Sequence, residues 1–419
     1  MTMRANRDRL WSRQHEVGAI GAVPEGGISR FAWTPEYKKA CELLMKWMEE
    51  LGLAVRMDTA GNIFGRYEGR EDLPAILCGS HFDTVPNGGY FDGLTGIMTA
   101  LEAVHILKEE GFRPRRPIEI VAFINEEASQ FLGGTFGSKA MCGVLPEDYV
   151  DTCRHRVTGE TLRSAMRKFG MGTDPDRLAD SRIDPKDYFC FIEVHIEQGK
   201  YLLNQGLPVS VVSDIAGIKQ FYIELHGVSC HAGGMAMEDR HDTLQAAAAI
   251  ASEIERLALA TGNDTRSTVG YIQSRPGEHN IIANCSVMPV DYREADDGIW
   301  ARLYEDITDF AEKECEKRGL TWSVRSTCDL APSHCNKTIM EVMHQAADEL
   351  GIRHNEMISF PCHDAVNLER IMPIGMVFVR SSNEGLSHCP EEYTTKEDLG
   401  DSADILLETL KRLGELETL

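Results

Sequence analysis

His81, Asp83 and Asp92 stand in one glycine-rich stretch, Gly79-Ser80-His81-Phe82-Asp83-Thr84-Val85-Pro86-Asn87-Gly88-Gly89-Tyr90-Phe91-Asp92-Gly93. An imidazole binds a metal through one ring nitrogen when an acceptor holds the other. Asp83, two residues on and on the same side of an extended chain, is placed to be that acceptor. Asp92 lies among glycines that let the backbone bend and aim its carboxylate back at the same point. Taken alone, the stretch equally suits a polar loop between two core elements. Further donors follow at Glu127, His195 and His388. Five nitrogen and oxygen donors suit borderline divalent metals such as zinc or manganese. If Asp92 is shared, they can hold two cations about 3.5–4 Å apart, as in two-metal hydrolases. Glu126 precedes Glu127, and adjacent side chains point in different directions, so one can ligate while the other faces water. The pair would also suit a solvated helix start.

The elements that must position these donors are legible as periodic runs. Ala75-Ile76-Leu77-Cys78 is a short apolar strand that delivers His81, and Ile118 to Ile124 is a β-rich run ending at Asn125-Glu126-Glu127. Tyr188 to Val194 is strand-like and ends at His195, and Phe378-Val379-Arg380 leads toward His388. Between them, residues 35–52, 94–110, 338–351 and 397–415 carry helical spacing, with Pro35 suited to a first turn and Gly52 and Gly111 to helix ends. The helix after Asp92 starts beside that carboxylate, where its dipole favours the ionised form. Strands alternating with helices imply an α/β catalytic layer with a mixed, partly parallel sheet and ligands at the strand ends.

From Ser213 the pattern changes. Strands at 221–226, 267–273, 287–292 and 321–326 alternate with helices at 242–260 and 296–318, the strand-helix-strand-strand-helix-strand order of a ferredoxin-like α+β domain. The expected organisation is a catalytic domain over residues 1–212 and 329–419, with residues 213–328 inserted.

At 419 residues a second domain is expected. The net charge of −23 and pI near 5.0 disfavour nucleic acid and anionic membranes as partners. The N-terminal residues lack the apolar core of a secretory signal, and the alanine-rich run 246–260 is broken by Glu253, Glu255 and Arg256. Twelve cysteines with no Cys-x-x-Cys spacing read as reduced, mostly buried thiols in a cytoplasm.

Gly-Ser-His81-Phe-Asp83-Thr-Val, Asn125-Glu126-Glu127, His195-Ile-Glu-Gln198-Gly, Cys230-His231-Ala-Gly, His363-Asp364-Ala365 and Ser387-His388-x-Pro-x-Glu392 occur in order along nearly the whole chain. Together they resemble the dinuclear metallopeptidase-fold amidohydrolases, in the branch of allantoate and ureidoglycolate amidohydrolases, β-ureidopropionases and N-carbamoyl-L-amino-acid hydrolases. The resemblance implies that His81, Asp92 and His195 hold one metal and Asp92, Glu127 and His388 the other, as zinc or manganese with cobalt possible. It gives Asp83 a supporting place in the catalytic machinery and makes Glu126 the general base. It makes His231 an oxyanion donor from the inserted domain, often across a homodimer interface. It also implies that Arg293 takes a substrate carboxylate, with Gln198 and Asn280 contacting the same small molecule.

The pocket departs from the branch where this chain has Ala128-Ser129-Gln130-Phe131, Gly234-Met235-Ala236-Met237 and Ser359-Phe360-Pro361-Cys362. Cys362 and Met235 add bulk there. The expected activity is hydrolysis of a linear amide or ureido C–N bond of an N-carbamoyl amino acid or allantoate-like compound. Aminoacylase or dipeptidase chemistry on the same scaffold, and a non-catalytic binding protein, stand as alternatives.

Overall fold

Every residue of the strand Ala75–His81 is buried. Burial on both faces is what a central parallel strand requires, and it explains why the run shows no polar alternation. In the computed structural model, which describes residues 3–419, this strand lies between Ile118–Phe123 and Tyr188–Ile196, parallel to both. Ile374–Val379 adds a fourth parallel strand beside Tyr188–Ile196. The flanks turn antiparallel: Ile63–Tyr67 and Ala54–Met57 on one side, Val209–Ile215 on the other. The sheet is therefore mixed, with its parallel part in the middle.

The chain divides into two compact units. The first runs to Ser213 and takes up again over His334–Met357 and His363–Leu419; the second comprises Asp214–Ser333 and Ile358–Cys362. In the first, the strand at Ala75–His81 extends three residues beyond its apolar run, so His81 is its last residue rather than part of a following loop. Pro35–Glu50 begins with Thr34, whose hydroxyl accepts the Tyr37 N–H, and Pro35 at the first turn. Leu94–Glu109 is buried nearly all round and packs against Lys396–Leu413, which also meets Lys337–Leu350. Arg7–Gly18, capped by Asn6, is a helix that charge throughout the N-terminus had concealed. It is fastened by Arg9, whose guanidinium donates to both oxygens of buried Glu102 at 2.7 Å. No helix among the described residues is long and apolar enough to cross a membrane.

In the second unit, Thr321–Leu330, Gly217–His226 and Cys285–Glu294 form an antiparallel sheet. Phe221, Ile223 and Leu225 point from it into a core shared with Ala246, Ile250, Leu303 and Ile307 of the helices Thr243–Ala260 and Asp297–Arg318. The order is strand-helix-strand-strand-helix-strand, but the second strand is split into Arg266–Val269 and Gln273–Arg275. Both pieces pair with Cys285–Glu294, one residue out of register with each other. The break lies opposite Pro289, which has no N–H to give a ladder. All twelve cysteines are free thiols, seven of them buried.

Gly79 permits the close approach of two central strands. Its φ is +148°, and a Cβ there would lie 1.9 Å from the Val121 carbonyl oxygen. Gly79→Ala is expected to destabilise the protein by on the order of 3 kcal/mol, measured by denaturant unfolding.

Candidate metal centre

Four parallel strands end on one edge of the sheet, and that edge is where an α/β fold places its ligands. His81 ends its strand in register with Phe123, so the segment Asn125-Glu126-Glu127 emerges alongside it. That segment is an irregular turn, with Asn125 at φ +56° and Ala128 at φ +52°, and no helix begins until Phe136. The carboxylates therefore do not solvate a helix start. His195 lies in register with Phe378 of the next strand, and the chain beyond that strand returns to present His388. Asp92 comes from the loop before Leu94–Glu109, where Gly93 at φ +62° leaves room that a Cβ would close by approaching the His81 ring at 2.5 Å.

The two oxygens of Asp92 face different partners. Oδ1 lies 3.1 Å from His195 Nε2 and 3.5 Å from His81 Nε2. Oδ2 lies 2.9 Å from His388 Nε2, which is itself 3.3 Å from Glu127 Oε1. His81, Asp92 and His195 thus form one trio of donor atoms, and Asp92, Glu127 and His388 a second, each within 4.8 Å. The far ring nitrogens are fixed by backbone: His195 Nδ1 sits 3.0 Å from the Ile196 carbonyl and His81 Nδ1 3.2 Å from the Asp83 carbonyl. Such contacts set the tautomer that turns Nε2 toward the centre. The Asp83 carboxylate does a different task from the one its spacing suggested. It stands 3.7 Å from His81 and instead accepts the N–H groups of Glu126 and Glu127, each at 3.1 Å, holding the turn that carries them.

The electrostatics of the cluster suit it to cations. Burial works to raise the Asp92 pKa, but hydrogen bonds from His195, His388 and His81 pull it well below the usual carboxylate range. Burial works to lower that of His81, yet Asp92, Glu126 and Asp83 carry it well above its ordinary value. Hydrogen bonds to Asp92 and Glu127 push His388 up to about 11. Burial pushes Glu126 well up, with repulsion from Glu127, Asp364 and Asp83 added. Burial and repulsion from Asp92 raise Glu127. Acids and imidazoles so crowded compensate one another only by holding protons, and divalent cations would take those protons' place. The donor set, all imidazole and carboxylate with no thiolate, fits such ions.

Further residues bind this centre together. Glu392 is buried; its Oε1 accepts the N–H of Phe91 at 2.8 Å and of Asp92 at 3.0 Å, while Oε2 accepts the Ser387 hydroxyl at 2.7 Å. It thereby ties the Asp92 loop to the His388 loop. The Gln198 amide donates to Asp92 Oδ2 at 2.9 Å and lies 3.2 Å from His388 Nε2, so it belongs to the donor cluster. Glu193, on the same strand face as His195, accepts from Ser80 at 2.7 Å and from the Ala365 N–H at 3.2 Å. The His363 ring lies 4.6 Å from that of His195, and burial with repulsion from His195 keeps it neutral. Alternation along Tyr188–Ile196 would have flagged Glu193. Glu392 closes the Ser387-His388-x-Pro-x-Glu motif, but nothing local announces its grip on the backbone of Phe91 and Asp92, 301 and 300 residues away in the chain.

The remaining candidates lie in the second unit. His231 is exposed, with Nδ1 accepting the Gly233 N–H at 3.1 Å, and Asn280 adjoins it through the Ala232 N–H, which its carbonyl accepts at 2.9 Å. Arg293 donates to the Phe360 carbonyl at 2.8 Å, two residues from half-buried Cys362.

Glu392→Ala is expected to weaken retention of divalent metal about 10- to 100-fold. Metal content after dialysis against graded chelator checks this, and Glu392→Gln, which keeps a carbonyl acceptor, is expected to lose less.

The profile of Peptidase family M20/M25/M40 matches residues 77–412. Over 411 residues the chain is 38% identical to an N-carbamoyl-L-amino acid amidohydrolase of Geobacillus stearothermophilus, covering 98% of this chain and 99% of that one. Over 399 residues it is 32% identical to an allantoate amidohydrolase of Bacillus subtilis (strain 168), covering 95% of each. Among solved structures, an amidase of the hydantoinase/carbamoylase family from Burkholderia multivorans superposes with a TM-score of 0.90 at 30% identity over 100% of both chains. The chain therefore belongs to peptidase family M20/M25/M40, as a hydrolase of carbon–nitrogen bonds in linear amides.

Proposed function

We propose that the protein hydrolyses the ureido bond of an N-carbamoyl-L-amino acid or an allantoate-like carboxylate, using two divalent cations, zinc or manganese. The observation that carries this reading is the division of Asp92, one oxygen toward His81 and His195 and the other toward His388 and Glu127. Bound there, such cations would supply Lewis-acid polarisation and a more acidic water. The substrates named for the relatives, N-carbamoyl-L-amino acids and allantoate, support the ureido assignment.

The protein's own groups do the rest. Glu126, half-buried and made basic by burial, takes the proton of the attacking water and returns it to the leaving nitrogen. Asp83 positions it by holding its N–H. His231 donates to the oxyanion that forms on the attacked carbonyl. Arg293 meets the substrate carboxylate with a planar fork, and Asn280 and Cys362 contact the same substrate. Gln198 holds Asp92 in place through its amide NH2 and offers its carbonyl oxygen, an acceptor, to the substrate. Hydrolysis of a carbamoyl group yields the amine and carbamic acid, which decomposes to carbon dioxide and ammonia. The segment 213–328 serves as an inserted dimerisation domain, and His231 acts from it across a homodimer.

Ammonia release from N-carbamoyl amino acids and allantoate, set against amine release from N-acetyl amino acids, tests the substrate class; silence on every ureido compound overturns it. Glu126→Gln is expected to retain metal while kcat falls about 10²- to 10⁴-fold. His231→Ala is expected to lower kcat about 10²-fold or more. Mixing those two variants restores part of the activity if His231 acts across subunits, and leaves none if each subunit uses its own.

A further inference from the structure

Arg4, Arg7, Arg353 and Arg380 line one cleft of about 460 Å³ in the first unit, together with Asp398 and Asp401. In a chain of net charge −23, four guanidiniums around one space are a concentration of positive charge that the rest of the sequence does not prepare. Three of them have acidic partners. Arg380 forks onto Asp398, with Nε at 2.9 Å and Nη2 at 3.1 Å. Arg7 reaches Asp401 at 2.6 Å, and Arg4 reaches Asp404 at 3.1 Å and the Leu350 carbonyl at 2.9 Å. Arg353 is exposed and donates to the neutral carbonyl of Gly206 at 2.6 Å; among the described residues no carboxylate pairs with it.

The cleft therefore carries a net positive charge in the absence of a ligand. A guanidinium has five N–H donors in a rigid fork, and the acceptors named here use at most two hydrogens of any one arginine. The arginines line a space of the size that holds a small molecule. Planar forks are matched by the paired oxygens of carboxylate and phosphate. The cleft shares no residue with the metal donors.

We propose that this cleft is a second binding site, for a small polyvalent oxyanion carrying a phosphate or two carboxylates. Arg353 is its principal ligand, with Arg4 and Arg7 contributing their unused N–H groups. The site is independent of the hydrolytic reaction assigned above.

Calorimetric titration of the full-length, metal-loaded protein with inorganic phosphate and, separately, with succinate tests this. Saturable binding of at least one is expected, weakened about tenfold or more in Arg353→Ala and abolished in Arg353→Glu. Turnover in both variants is expected to stay at the wild-type level, and Arg353 is exposed, so folding is not at stake. The arm that responds distinguishes a phosphate from a dicarboxylate ligand. Binding that is undiminished in both variants assigns the anion to the metal centre and overturns the proposal. So does the absence of saturable binding of either anion up to about 20 mM.

Discussion

A carboxylate sealed from water and shared between two groups of imidazoles is the constraint around which the first unit is built. Asp92 is 6% exposed, and an ionised acid in such a place is tolerated only when opposite charge meets both of its oxygens. That requirement fixes the positions of His81, His195 and His388 relative to one another, and through them the ends of several strands. It also explains the second layer of acids. Glu392 fastens the loop of Asp92 by its backbone, Asp83 fastens the turn of Glu126 and Glu127, and Glu193 backs the strand of His195. Each acid there grips N–H groups rather than a cation, so the frame holds the donors without competing with them for a metal.

His81 and His195 stand out in the sequence because each lies close to the end of a continuous apolar run, whereas Asp92 and His388 lie in loops and stand out only through the motifs around them. The sequence disclosed the central strands because burial on both faces leaves a continuous apolar stretch. It was less informative where the cause is tertiary. Nothing in the residues around Pro289 says that the strand opposite must break, since the missing N–H matters only once the two are paired. The helix Arg7–Gly18 carries a weak apolar stripe because much of its attachment is ionic, through Arg9 and Glu102. Asp83 stands beside His81, but its carboxylate is spent on backbone amides of a different loop, a preference set by where Asn125 and Ala128 bend the chain.

Charge is distributed unevenly over the first unit. Acids converge at the sheet edge, where they need cations, while arginines gather in a cleft whose lining is drawn from the N-terminal residues, the segment before Val209–Ile215, and both ends of the C-terminal region. Distant parts of the chain thus supply both features. Unlike charges that attract across such separations help to choose between alternative packings, whereas apolar burial is indifferent to which hydrophobic surface covers which.

The grip of Glu392 on Phe91 and Asp92 spans some 300 positions along the chain. A ribosome will have released the histidine-bearing strands long before the residues that lock them arrive. During that interval the emerging polypeptide presents an acidic, half-built cage whose last wall is missing. A product terminated before position 388 would lack both His388 and Glu392, and with them the second trio of donors and the tie on the Asp92 loop.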